Sequence, residues 1–289
     1  MWVIMLIWKR NARKILLLGW IVLLMAASGT VVLNRQAATG ELGRSGYLSL
    51  IIDDFGNHGD GTEAMLQLNV PLAAAVIPFL PHSQSDAELA HRYGKEVILH
   101  LPMEAVLNRP DWLGPGAISA ALSTSEIQNR LHQGLAQLHW AVGINNHMGS
   151  RAMQDERVVA AILAIVREKN LIFVDSRTTI HSVAPALSRE LDLPYLGRDV
   201  FLELTKNKAD ICRQLQRLGQ IALRRGYAIG IGHVGHDGGS VTAEAIRETY
   251  PELQALGVRF IPLTQMRAVV MEYNARHGRN QAGNSSPQG

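Results

Sequence analysis

Tyr47-Leu-Ser-Leu-Ile-Ile-Asp-Asp-Phe-Gly56 is the stretch that decides the fold. Its first six residues form a short, almost wholly apolar run, which predicts a strand buried on both faces, Tyr47–Ile52. Such a strand needs helices on either side, and strands and helices do alternate after it. Strand-type runs recur at Leu72–Ile77, Glu96–Leu101, Ala141–Ile144, Leu171–Val174, Val200–Leu202, Ala228–Ile231 and Val258–Ile261. Helical periodicity separates them at Thr62–Leu68, Ser85–Tyr93, 124–138, Asp155–Lys169, 182–191, Ala209–Arg225, Ala243–Leu256 and Gln265–Ala275. Ser123-Thr-Ser-Glu126 reads as a capping box. Gly94 and Gly226 stand where helices end. Seven or eight strand–helix units predict an α/β domain over 47–275 with a parallel sheet, as a closed or nearly closed barrel.

The chain has 289 residues, 47% hydrophobic and 18% charged, too apolar to be disordered over most of its length. Its one cysteine, Cys212, excludes an internal disulfide and an all-cysteine zinc site. Six of the 28 basic residues lie in 1–46 and two follow Asn274, leaving 20 in the middle against 24 of the 25 acids. The basic character therefore belongs to the ends. A slightly acidic domain lacks the electrostatic footprint of a nucleic-acid binder.

Residues 1–46 read as an address. A basic segment, 1–14, contains Lys9, Arg10, Arg13 and Lys14. The uncharged, mostly apolar run Ile15–Leu33 is long enough to span a bilayer. The bases in front of it place the N-terminus in the cytoplasm and the domain outside the inner (cytoplasmic) membrane. Ala26-Ala27-Ser28 offers a signal-peptidase site, which would instead release a periplasmic protein. Residues 34–46 read as a linker and 276–289 as a disordered tail.

Polar residues gather where the predicted strands end, the place where such folds do chemistry. Asp53 and Asp54 close the first strand, and one could bind a cation while the other takes a proton. His100 and His147 are ligand candidates, with Asn145 and Asn146 as orienting or substrate groups. Glu104 is either a further ligand or a solvated loop carboxylate. Asp175, followed by Ser176 on the substrate side, could orient a base or cap a helix. His233 sits between strand and loop as a general acid. Mixed Asp and His ligands suit zinc or another divalent ion of similar character. The chain has no G-x-S-x-G elbow, no H-E-x-x-H and no Walker A lysine. Gly230-Ile-Gly-His-Val-Gly235 matches G-x-G-x-x-G but falls late and carries a histidine, so no dinucleotide is expected.

These residues resemble the NodB-type polysaccharide deacetylase superfamily, and within it the divergent branch that includes the YibQ-like proteins. The resemblance lies in Leu50–Gly56, His100–Glu104, Gly143–Ser150, Phe173–Ser176, Arg198–Leu202 and Ile229–His233. It implies a distorted (β/α)7 barrel and metal-assisted removal of acetyl groups from N-acetylated sugars. By position, Asp53 matches the general base, Asp54 and His100 metal ligands, and His233 the acid. The superfamily's second metal histidine is Glu104 here, and its Arg-Pro-Pro motif is Asn145-Asn146-His147. Either His147 or Glu104 then supplies the third ligand. The expectation is an extracytoplasmic metal hydrolase acting on a cell-envelope glycan; the rival is a non-catalytic glycan-binding or scaffold protein on the same fold.

Overall fold

The computed structural model describes residues 45–107 and 113–282. The predicted basic segment, membrane span and all but the last residues of the linker lie outside them. Among the described residues, no helix is long and apolar enough to cross a membrane.

Nine strands form one parallel sheet: β1 (Gly46–Phe55), β2 (Ala73–Val76), β3 (Glu96–Met103), β4 (Ala141–Met148), β5 (Ile172–Asp175), β6 (Leu196–Gly197), β7 (Val200–Phe201), β8 (Tyr227–His233) and β9 (Val258–Phe260). The helices are α1 (Thr62–Leu66), α2 (Ser83–Arg92), α3 (Thr124–Gln137), α4 (Glu156–Glu168), α5 (Ala184–Glu190), α6 (Lys208–Arg225), α7 (Gly239–Ala255) and α8 (Leu263–Ala282). The capping box at Ser123 is present, with Ser123 and Glu126 satisfying each other's backbone N–H groups. Gly226 ends α6 in the left-handed conformation, φ 102°. The last helix passes the expected end at Ala275 and continues to Ala282, so the start of the predicted tail is helical.

The strand order is β6-β5-β4-β3-β2-β1-β8-β7. One edge of β1 is shared: β9 pairs with Gly46–Leu48 and β2 with Ile51–Phe55. Of the closed or nearly closed barrel expected, the structure shows the open form, because among the described residues no ladder joins the end strands β6 and β7. The dipeptide Arg198–Asp199 links them instead, donating to Asp175 O on β5 and Ile229 O on β8. The two-residue β6 escaped the sequence reading because it is too short to show a period.

Side-chain alternation sorts the sheet into two faces. Leu48, Leu50 and Ile52 of β1 pack toward the helices. Ile51, Ile98, Ile172, Val174, Ile229 and Ile231 fill the interior, which α8 plugs with Leu263, Met266 and Val270. Ile98 is fully buried there. Ile98→Ala should lose about 2–5 kcal/mol of stability in urea unfolding, the cost of an interior cavity.

Candidate metal centre

At the C-terminal end of β1 the alternation is broken on purpose. The pairing with β2 steps from Ile52↔Ala74 to Phe55↔Val76, so β1 carries one extra residue. This is a bulge, and Asp54 within it takes a left-handed backbone, φ 70°. Asp53 and Asp54 consequently serve one site rather than opposite faces. Their oxygens lie 3.6 and 3.3 Å from Nε2 of His100. His100 reaches them across β2, which lends only Ala73 and Ala75 to the interior cluster.

Three atoms converge: Asp54 Oδ1, His100 Nε2 and His147 Nδ1. The separations are 3.3 Å from Asp54 to His100, 3.2 Å from Asp54 to His147, and 3.2 Å between the imidazoles. The edge of a tetrahedron of zinc ligands, with bonds of ~2.0–2.1 Å, is about 3.3 Å. Asp54 Oδ1 is buried and accepts no well-formed hydrogen bond, although both rings stand at ion-pair distance. Burial disfavours the charge of Asp54, but the two imidazoles outweigh it and hold the carboxyl far below the usual range. The three residues are the described group of His, Cys, Asp and Glu side chains whose ligand atoms come within reach of one ion.

Asn145 fixes the direction of His100. Its Nδ2 donates to Asp53 Oδ1 at 2.8 Å, so its Oδ1 faces His100 Nδ1, also at 2.8 Å. An amide oxygen only accepts, so Nδ1 carries the proton and Nε2 offers a lone pair to the centre. Two atoms that bear lone pairs, Asp54 Oδ1 and His100 Nε2, then face each other beside His147 Nδ1, an arrangement a divalent cation relieves. Asn145→Ala removes both tethers and should weaken zinc binding about 10–100-fold in a competitive chelator titration.

Asp53 and His233 stand opposite each other in the β1–β8 register. Burial pushes the Asp53 carboxyl up, against the pull of the neighbouring His100 and His233 rings and the Asn145 bond. His233 Nδ1 lies 2.9 Å from Glu203 Oε2, and the other Glu203 oxygen accepts from the His233 backbone and Thr242 Oγ1. Burial alone would lower the His233 pKa. The Glu203 bond and the charges of Asp53, Glu203 and Asp54 outweigh it and raise the pKa to about 9. His233 is therefore an imidazolium at neutral pH. Glu203, the partner of His233, is a residue the sequence reading missed, because it follows a two-residue strand and belongs to no motif.

Other predicted site residues lie elsewhere. Glu104 binds Ser119 Oγ and Ala120 N at 2.9 Å and Arg151 Nε at 3.0 Å, not the centre. Asp175 faces the helix side and accepts from Arg177 N, Ser182 Oγ and Tyr195 Oη, so it ties the loop after β5 and orients no site group. Asn146 and Ser176 are buried and bond each other: Ser176 N to Asn146 Oδ1 and Ser176 Oγ to Asn146 O, both 2.8 Å. Together with Asn145, fully buried between Asp53 and His100, they are scaffold and not groups offered to a substrate.

A curved parallel sheet with this residue set at its C-terminal ends defines a domain of the polysaccharide-deacetylase type. The chain belongs to the divergent polysaccharide deacetylase family, whose sequence profile matches residues 50–267. YibQ of Escherichia coli K12, an uncharacterized protein, is 33% identical over 189 residues, covering 65% of this chain and 59% of YibQ. An uncharacterized protein of Haemophilus influenzae is 29% identical over 211 residues, covering 73% and 75% of the two chains. The crystal structure of the uncharacterized ATU2773 from Agrobacterium tumefaciens C58 shares the fold: TM-score 0.70, 21% identity, 78% of this chain and 90% of that one.

Proposed function

We propose that the protein is a metal-dependent hydrolase that removes acetyl, or a similar acyl group, from the nitrogen of a cell-envelope glycan. The observation that carries this reading is the triangle of Asp54, His100 and His147 with edges of 3.2–3.3 Å, flanked by Asp53 and His233. The family's description supports the substrate class. The three residues would hold a divalent ion, zinc by their donor set, and Glu104 is not needed. When bound, such an ion supplies an activated water and polarises the acyl carbonyl. Asp53, its carboxyl pushed up by burial, takes the proton of the attacking water. His233 gives its proton to the departing nitrogen as the C–N bond breaks, leaving acetate and a free amine. Asn145 holds the base in place and Glu203 holds the acid.

In this reading Ile15–Leu33 tethers the chain, or is cleaved from it, and the domain works on the outer side of the cytoplasmic membrane; the bases before that segment support this orientation. The test is acetate release by the zinc-loaded protein from a panel of N-acetylated oligosaccharides, acetylated peptides and acetyl esters. Release from the sugars is expected. Release confined to peptides or esters moves the substrate class, and release from none of them favours a glycan-binding role.

A further inference from the structure

The loop that leaves Asp54 is clasped to the start of α2. His82 N donates to Gly56 O at 2.8 Å. The fully buried Asp86 of α2 accepts the backbone N–H groups of Gly56 and His58 on one oxygen, at 2.8 and 3.0 Å, and its other oxygen meets His58 Nδ1 at 3.0 Å. These bonds hold His58 in a left-handed backbone, φ 49°, a costly conformation for a side chain with a β-carbon. A carboxylate only accepts, so Nδ1 carries the proton and Nε2 is left with a lone pair. A carboxylate on one imidazole nitrogen fixes the tautomer and ring direction of metal-ligating histidines, and Asn145 does the same for His100 in the metal centre.

Two further donor groups stand beside the His58 ring. Glu63 Oε1 of α1 lies 3.9 Å from Nε2. An ion with bonds of ~2.0–2.1 Å spans ligand atoms up to about 4.1 Å apart. Glu63 is exposed, so a turn of its side chain brings it closer. His82 stands at the N-terminus of α2 without capping it through its side chain. Its ring centroid is 5.8 Å from that of His58, against 4.9 Å between the rings of His100 and His147. His82 is exposed as well. One ligand is therefore fixed in place, and two mobile side chains can close on it.

The surroundings select a cation. His58 and Glu63 line a cleft that contains no Lys or Arg, and Asp60 lies behind its Ser240 wall. Among the described residues, two buried side-chain polar atoms lack a hydrogen-bond partner: Asp54 Oδ1 in the metal centre and Thr62 Oγ1 in this cleft. Such atoms are exceptions in folded proteins. We propose that His58, Glu63 and His82 form a second divalent-cation site, suited by its imidazole and carboxylate donors to zinc or an ion of similar character. An ion there ties the loop leaving Asp54 to α1 and α2. Ordering two exposed side chains makes this the weaker of the two sites, one that a chelator empties first. It shares no residue with the metal centre and does not depend on the hydrolase reading.

The test titrates zinc alone into the untagged, metal-free full chain and counts bound ions by equilibrium dialysis. The wild type should bind about two ions per chain in two steps, the second at least about tenfold weaker than the first. His100→Ala should keep one ion, and adding His58→Asn should remove it. Asparagine accepts the left-handed backbone, and an unchanged first step in His58→Asn alone shows that the variant is folded. Glu63→Gln and His82→Ala, both at exposed side chains, should each weaken the second step at least about tenfold and leave the first as it is. A single step in the wild type, absent from His100→Ala, overturns the second site and leaves the metal centre standing. A second step that these substitutions leave unchanged is an adventitious surface ion and overturns the site as well.

Discussion

Asp53→Asn should abolish turnover while leaving the metal centre assembled. Asparagine has the shape of aspartate and can still accept the Asn145 amide bond at Oδ1. It cannot take a proton from water at any ordinary pH. Loss of a general base costs about 10²–10⁴-fold in rate, and acetate release should fall by that amount. Zinc content should stay close to that of the wild type, because Asp53 is outside the triangle formed by Asp54, His100 and His147. Retention of more than half the activity would remove Asp53 from the role of base. The same variant separates an enzyme from a binding protein: a scaffold would bind its glycan equally well with either residue.

Glu203→Gln should move the alkaline limit of activity. His233 must be protonated to act as an acid, and the buried Glu203 carboxylate is the chief group holding its pKa at about 9. Glutamine keeps the size and removes the charge. The pKa then falls toward the ordinary 6.5, and activity at pH 8 should drop on the order of tenfold while activity at pH 6 changes little. Stability carries the same signature. A histidine whose folded pKa is raised stabilises the fold fully below its unfolded pKa, and that contribution is lost as pH rises through the folded value. The metal-free wild type should therefore lose stability between about 6.5 and 9, and Glu203→Gln should show a flatter profile over that window. Superimposable pH–rate profiles for the two proteins would detach Glu203 from the acid.

The sequence made the alternation of strands and helices legible, because every strand except the two-residue β6 lies in an apolar run long enough to show its character. It also brought the right strand ends together: Asp53, Asp54, His100, His147 and His233 all come from them. Parity along the strands could have sorted the rest. His100 shares the inward face with Ile98, and His233 with Ile229 and Ile231. Asn146 alternates with Asn145 and shares its parity with Ile144, while Asp175 shares its parity with Phe173, both on the helix side. Asn146 and Asp175 accordingly became scaffold. Two features lay beyond a local reading. The bulge that turns Asp54 beside Asp53 is a mismatch between β1 and β2, visible only once their register is known. The Glu203–His233 pair joins residues 30 apart in sequence through a loop. The open seam at Arg198–Asp199 is likewise a property of pairing, so a barrel was the natural expectation from strand count alone.

The central claim is that Asp54, His100 and His147 form a metal centre, and elemental analysis of the purified protein beside His100→Ala addresses it most directly. The account predicts about one zinc or similar divalent ion per chain in the wild type, and its loss in the variant after dialysis against a chelator that spares the wild type. A wild type that stays metal-free after loading with zinc, or a His100→Ala variant that holds the ion as tightly, would contradict it.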